Sequence, residues 1–95
     1  MTYELAFKKS ALKEWKKLGA TVQLQFKKKL THILDNPHIE SAKLSGSNEL
    51  YKIKLRQAVY RLVYEVNDTV ITVTVISVGK RDKGKVYKSA MERIY

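Results

Sequence analysis

The chain contains no cysteine. That excludes disulfide frameworks, thiolate zinc sites, iron–sulfur clusters and thiol nucleophiles, and fits a reducing compartment, the cytoplasm. Histidine is nearly as scarce, with His32 and His38 alone. Neither falls in a metal-ligand spacing and no carboxylate cluster accompanies them, so no metal and no cofactor is expected. No G-x-G-x-x-G, P-loop, G-x-S-x-G or H-E-x-x-H occurs. The acidic residues number 9 and are scattered, which leaves paired-carboxylate hydrolysis and serine triads without support. No apolar run approaches the ~18–20 residues of a membrane span, and the opening MTYELAF lacks the parts of a signal peptide. With one proline and four glycines there is no linker, and we find no internal repeat.

Basic residues dominate what remains. Nineteen Lys+Arg against 9 Asp+Glu give a formal charge of +10 over 95 residues. The 44% hydrophobic content argues against disorder, and the length suits one domain, 1–95. A compact, basic domain of this kind points to a polyanionic partner.

The periodicity changes along the chain. Thr2 to Phe7 alternates Tyr3, Leu5 and Phe7 against polar or small residues, a strand pattern. From Lys8 to Leu18 the period becomes helical, with Leu12 and Trp15 on one face joined by Ala11 and Leu18, and Gly19 as the stop. Thr21 is the expected N-cap of a second helix carrying Val22, Phe26, Leu30 and Ile33, which Asn36-Pro37 ends. Two amphipathic helices joined so closely make a helical hairpin.

The second half supplies a surface for it. LYKIKLR, VYRLVYEV and TVITVTVISVGK are rich in β-branched and aromatic residues and read as three antiparallel strands. Asn67-Asp68 looks a good two-residue turn and Gln57-Ala58 a poorer one. These turns pair Tyr64 with Ile71, Leu62 with Val73 and Tyr60 with Val75. On the other side they pair Leu55 with Tyr60, Ile53 with Leu62 and Tyr51 with Tyr64. Such a register collects the apolar side chains on one face, because strand side chains alternate. The opposite face receives Lys52, Lys54, Arg56, Arg61, Val63, Thr72 and Thr74, with Arg61 between Lys54 and Thr74. The tail adds Lys80, Arg81, Lys83, Lys85 and Lys88. Gly84 marks entry to a terminal helix with Val86, Ala90 and Ile94 on one face, and Tyr87, Met91 and Tyr95 beside them. The expected fold is α+β, β-α-α-β-β-β-α. Its small antiparallel-rich sheet has the helical hairpin packed on one face and a C-terminal helix, with the helices on one side.

Like charges directly across a ladder are destabilising, so Lys54 facing Arg61 suggests use of the charges rather than tolerance of them. Lys52, Lys54 and Arg61 on one face, with Arg81 and Tyr87 just after the last strand, suit a phosphate backbone and a stacked base.

The stretches YKIKLRQAVYRLVYEV and VISVGKRDKGKVY, the opening FKKSALKEWKKLG and the helix-ending NP together resemble the RelE family of bacterial toxins over nearly the whole chain. The resemblance implies a ribosome-dependent endoribonuclease that cleaves messenger RNA in the ribosomal A site, with the RNA's own 2′-hydroxyl as nucleophile. It implies that Lys52 and Lys54 serve or support the general base and that Arg61 stabilises the phosphate. Arg81 would act as general acid or leaving-group stabiliser, and Tyr87 would stack on the cleaved nucleotide. Lys43, Arg56, Lys80, Lys83 and Lys85 are the further RNA-binding candidates. Partners implied are the ribosome through its small-subunit rRNA, mRNA, a cognate RelB-like antitoxin, and operator DNA reached through that antitoxin. One departure lies in the loop KLSG, where some relatives carry an arginine and this chain has Ser45, with Lys43 nearby as a partial substitute.

A free lysine is mostly protonated at neutral pH and makes a poor base, whereas a guanidinium stabilises a phosphorane without any change of protonation. Two other readings use the same residues. A ParE-like toxin would inhibit a topoisomerase, and a non-catalytic RNA- or DNA-binding module would use the basic face as a phosphate track.

Overall fold

In a computed structural model, which describes residues 2–44, 49–55, 59–80 and 85–94, the chain begins with β1 (Glu4–Phe7), α1 (Lys9–Lys16) and α2 (Ala20–Ile33). A 3-10 turn at Glu40–Ala42 leads to β2 (Leu50–Lys54), β3 (Tyr60–Asn67), β4 (Thr72–Lys80) and α3 (Lys85–Ile94). The strands make one sheet in the order β1-β4-β3-β2, with β1 parallel to β4 and the other pairs antiparallel. The predicted element order is the observed one.

The helical hairpin packs as its periodicity requires, with two adjustments. Ala11, Trp15 and Leu18 are buried at i, i+4 and i+7. Leu12 lies about 100° further round the helix and is exposed, not buried with Trp15. Gly19 is the N-cap of α2, in an extended conformation, so Thr21 falls inside the helix and caps nothing. The end of α1 is closed instead by Gln23, whose amide donates to the carbonyls of Trp15 (2.9 Å) and Leu18 (3.3 Å). Trp15 then stands between Phe7 and Phe26, at ring-centroid distances of 5.2 and 6.2 Å.

The two hairpins of the sheet compare differently with the sequence reading. Across β2 and β3 the register is as predicted, with Tyr51 opposite Tyr64, Ile53 opposite Leu62 and Lys54 opposite Arg61. Across β3 and β4 it is not. Tyr64 faces Val75, Leu62 faces Val78 and Tyr60 faces Lys80, while Arg61 faces Gly79 rather than Thr74. Two features cause the shift. The turn is longer than Asn67-Asp68, because the Asn67 side chain accepts from the N–H groups of Thr69 (3.0 Å) and Val70 (3.3 Å) and closes an Asx turn. Ile71 completes it at φ 50°, a left-handed conformation that costs a β-branched residue strain. Further along, the pairing jumps from Tyr64↔Val75 to Val63↔Ser77, leaving Ile76 as the extra residue of a β-bulge.

The bulge changes which face β4 presents. Val73 and Val75 lie in the core beneath the helical hairpin and so does Val78, but Ile76 turns to the other side. There it joins Leu44, Leu50 and Val63 under Val86 and Ala90 of α3. The terminal helix therefore covers the opposite face of the sheet from the helical hairpin, not the same one. An apolar strip running through the basic face needs a cover, and α3 supplies it.

Candidate active site

Strand alternation fixes the basic side chains. Tyr51 and Ile53 enter the core under the helical hairpin, so Lys52 and Lys54 project from the other face, half-buried and exposed respectively. Arg61 arrives beside them because it is paired with Lys54, and its other neighbour, Gly79, has no side chain to crowd it. α3 brings Tyr87 over this group. The Arg61 guanidinium lies 5.0 Å from the centre of the Tyr87 ring and the Lys52 ammonium 5.9 Å, both within cation–π range. Three of the predicted catalytic residues, Lys52, Arg61 and Tyr87, are thus in one cluster, with Lys54 on its rim. Arg81 lies outside the described residues.

The accessory candidates are more dispersed. Lys43 is half-buried and bridges to Tyr51 at the outer edge of β2, and Lys80 is exposed at the end of β4. Lys85 is the first residue of α3. Arg56, Lys83, Gly84, Tyr95 and the loop position Ser45 lie outside the described residues.

Such a cluster can bind a phosphodiester and hold a base. Guanidinium and ammonium groups stabilise the added negative charge of a pentacoordinate phosphorus, and a tyrosine ring offers a stacking surface. Elsewhere on the molecule a depression of about 380 Å³ is lined by His38, Glu49, Tyr51, Glu65, Val66, Asn67, Asp68 and Thr69. Its carboxylates make it unsuitable for a polyanion. Asp68 accepts from the Tyr3 hydroxyl and pairs with His38 Nε2 at 2.8 Å, and these bonds hold its carboxyl below the usual range. Burial, with Glu49 nearby, pushes Glu65 up. His38 Nδ1 also meets the Tyr51 hydroxyl at 3.2 Å, so this histidine straps the segment after α2 to the sheet. Among the described residues no group of three or more His, Cys, Asp or Glu could hold a metal, and no helix is long and apolar enough to cross a membrane.

Sequence reasoning missed one polar assembly altogether. Glu14 of α1 and Arg93 of α3 form a bidentate ion pair at 2.8 and 3.2 Å, close to the bulge of β4. Its sequence signal was slight: Glu14 is the single acid in the lysine-rich α1.

Comparison with known proteins places this geometry among toxins. The family model described as "ParE toxin of type II toxin-antitoxin system, parDE" matches residues 5–84. The mRNA interferase toxin RelE of Escherichia coli strain K12 is 55% identical over 94 residues, 99% of each chain. The free structure of a doubly substituted E. coli toxin RelE superposes with a TM-score of 0.92 at 54% identity and covers 100% of both chains. The same mutant bound to a peptide of the antitoxin RelB gives 0.84 at 54% identity over 95% of each.

Proposed function

The chain belongs to the RelE family of type II toxins, and from that membership we propose that it is a ribosome-dependent endoribonuclease that cuts messenger RNA in the ribosomal A site. The observation that carries the reading is the stacking of Tyr87 over Lys52 and Arg61 on a sheet face that also bears Lys54. In the reaction, the 2′-hydroxyl of one nucleotide attacks the adjacent phosphorus. A base takes the hydroxyl proton, the P–O5′ bond breaks, and an acid returns a proton to the departing 5′ oxygen. The products are a 2′,3′-cyclic phosphate and a 5′-hydroxyl.

Each residue is assigned a role by its chemistry and by the family resemblance. Arg61 stabilises the phosphorane, and Tyr87 stacks on the cleaved nucleotide and turns its 2′-hydroxyl into line. Lys52 and Lys54 serve or support the base, and Arg81 protonates or stabilises the leaving oxygen. Lys43, Arg56, Lys80, Lys83 and Lys85 contact RNA phosphates. Such weak acid–base machinery leaves much of the RNA's positioning to the ribosome, with the exposed lysines of α1 and α2 docking on small-subunit rRNA. A RelB-like antitoxin neutralises the toxin in the cytoplasm, and through it the complex reaches operator DNA. Shared topology does not separate RNA cleavage from topoisomerase inhibition. The interferase name of a full-length relative and the basic cluster favour cleavage.

The test is cleavage of mRNA on programmed ribosomes, alongside a supercoiling assay. Wild type should cut in the A site, with Arg61→Ala and Arg81→Ala slower by about 10²-fold or more, the usual effect of deleting a transition-state donor. Both variants cutting as fast as wild type overturns the assigned site, and inhibition of supercoiling without cleavage overturns the reaction.

A further inference from the structure

The position of α3 is not secured by its own sequence. It has ten residues, too few to be stable alone in water, and begins with Lys85 and no acid in its first turn, against the helix dipole. Docking must therefore decide whether Tyr87 sits over the basic face. Two attachments serve the helix as far as Ala90. Val86 and Ala90 fill the apolar strip, and buried Ser77 donates to the Val86 carbonyl at 2.8 Å.

The last turn is held differently. Beyond Val75, whose carbonyl accepts from Lys8 N–H, β4 continues without β1 beside it. Glu14 and Arg93 stand in for the missing ladder. Glu14 Oε1 accepts from Val78 N–H at 3.3 Å, and Arg93 Nη1 donates to the Ile76 carbonyl at 2.7 Å. The same two side chains bind each other twice, and the Lys8 ammonium donates to the Arg93 carbonyl at 3.0 Å. With side chains only 22% and 33% exposed, Arg93 and Glu14 are shielded in a way ordinary surface pairs are not. The bulge therefore has a use: it delivers the Ile76 carbonyl that Arg93 grips.

We propose that Glu14 and Arg93 are positioning residues that latch α3 across the β4 bulge and so set Tyr87 over Lys52 and Arg61. The proposal deepens the nuclease reading and rests on Tyr87 stacking on RNA. Neither residue of the latch need touch the substrate; each acts through the register of α3 on the sheet.

The experiment uses the full chain with Arg93→Ala, Arg93→Lys, Glu14→Gln, Tyr87→Ala and the double variant Arg93→Ala/Tyr87→Ala. Amide hydrogen exchange should show α3 exchanging at least about tenfold faster in Arg93→Ala while β3 stays protected. Single-turnover cleavage on ribosomes should fall about tenfold or more in Arg93→Ala, less in Glu14→Gln, and recover in part with Arg93→Lys, which keeps a donor and the charge. In the Tyr87→Ala background, adding Arg93→Ala should change the rate less than twofold, because both act through one ring. Unchanged exchange in α3 overturns the latch whatever the cleavage result, as do multiplicative effects of the two substitutions. A wild-type chain that does not cut overturns the nuclease reading instead, and the exchange result still judges the latch.

Discussion

Replacing Lys54 by glutamate should make the protein more stable and less active. Lys54 lies directly across the ladder from Arg61 and is exposed, while Arg61 is half-buried beneath Tyr87. Side chains so paired have Cβ atoms ~4.5–5.5 Å apart, and like charges there oppose pairing. Two unit charges ~6 Å apart repel by about 0.7 kcal/mol at the dielectric of water and about 1.4 at half that value. Flexible, exposed tips and counterions reduce this further. Reversing one sign replaces the repulsion with a similar attraction, so Lys54→Glu should add about 1 kcal/mol at low salt, roughly 4–8 °C in Tm for a domain this size. Lys54→Gln should give about half of that. Urea unfolding at about 0.02 and about 0.5 M NaCl would measure the gain, which should shrink by more than half at the higher salt as the Debye length contracts. The same variant should cleave mRNA on ribosomes at least about tenfold more slowly, because a carboxylate repels the phosphate. Refutation would be a variant no more stable than wild type at low salt, or one whose gain ignores salt. Either result would show that Lys54 and Arg61 are not held in opposition.

Two further outcomes concern stability alone. Tyr64 is fully buried, stacks on Tyr51 at 5.4 Å and donates its hydroxyl to the Pro37 carbonyl at 3.1 Å. Tyr64→Phe keeps the stack, and Ile39 N–H still donates to that carbonyl, so chemical denaturation should show a loss near the net value of one hydrogen bond, about 1 kcal/mol. The acid limb of the stability curve should carry opposed contributions from Asp68 and Glu65. The Asp68 carboxyl sits below its ordinary 3.8, so its contribution is present above that pH and is lost as the pH falls through the lowered value. The Glu65 carboxyl sits above its ordinary 4.5, so its contribution is present below that pH and is lost as the pH rises through the raised value. Asp68→Asn should therefore flatten the fall in stability below about pH 4, and Glu65→Gln should raise stability at neutral pH, both read by denaturation across pH.

Legibility in the sequence followed the strength of the local pattern. The helical hairpin and the basic face came from periodicity, and the expected β2–β3 register is the observed one, although the weaker-looking turn at Gln57-Ala58 lies outside the described residues. The better-looking turn misled, because Asn67 spends its side chain capping an Asx turn rather than occupying a tight hairpin corner. The bulge had left a mark: Val75-Ile76 breaks the alternation of TVTV with two adjacent apolar residues. Taken as a bulge, that break assigns Ile76 to the far face and predicts a cover for it. The Glu14–Arg93 pair was out of reach of local patterns, since its partners come from opposite ends of the chain and meet only at a backbone irregularity.

The parallel pairing of β1 with β4 governs when this site can exist. β1 is made well before its sheet partner β4, so its register waits on residues Thr72–Val75. Tyr87 and the helix that carries it follow later still. Contacts between such distant segments are slow to form and cannot form at all until both ends are free. A nascent chain emerging N-terminus first therefore holds an incomplete sheet and no stacking ring. The stacking of Tyr87 over Lys52 and Arg61 is therefore the last feature of the described fold that a growing chain can assemble.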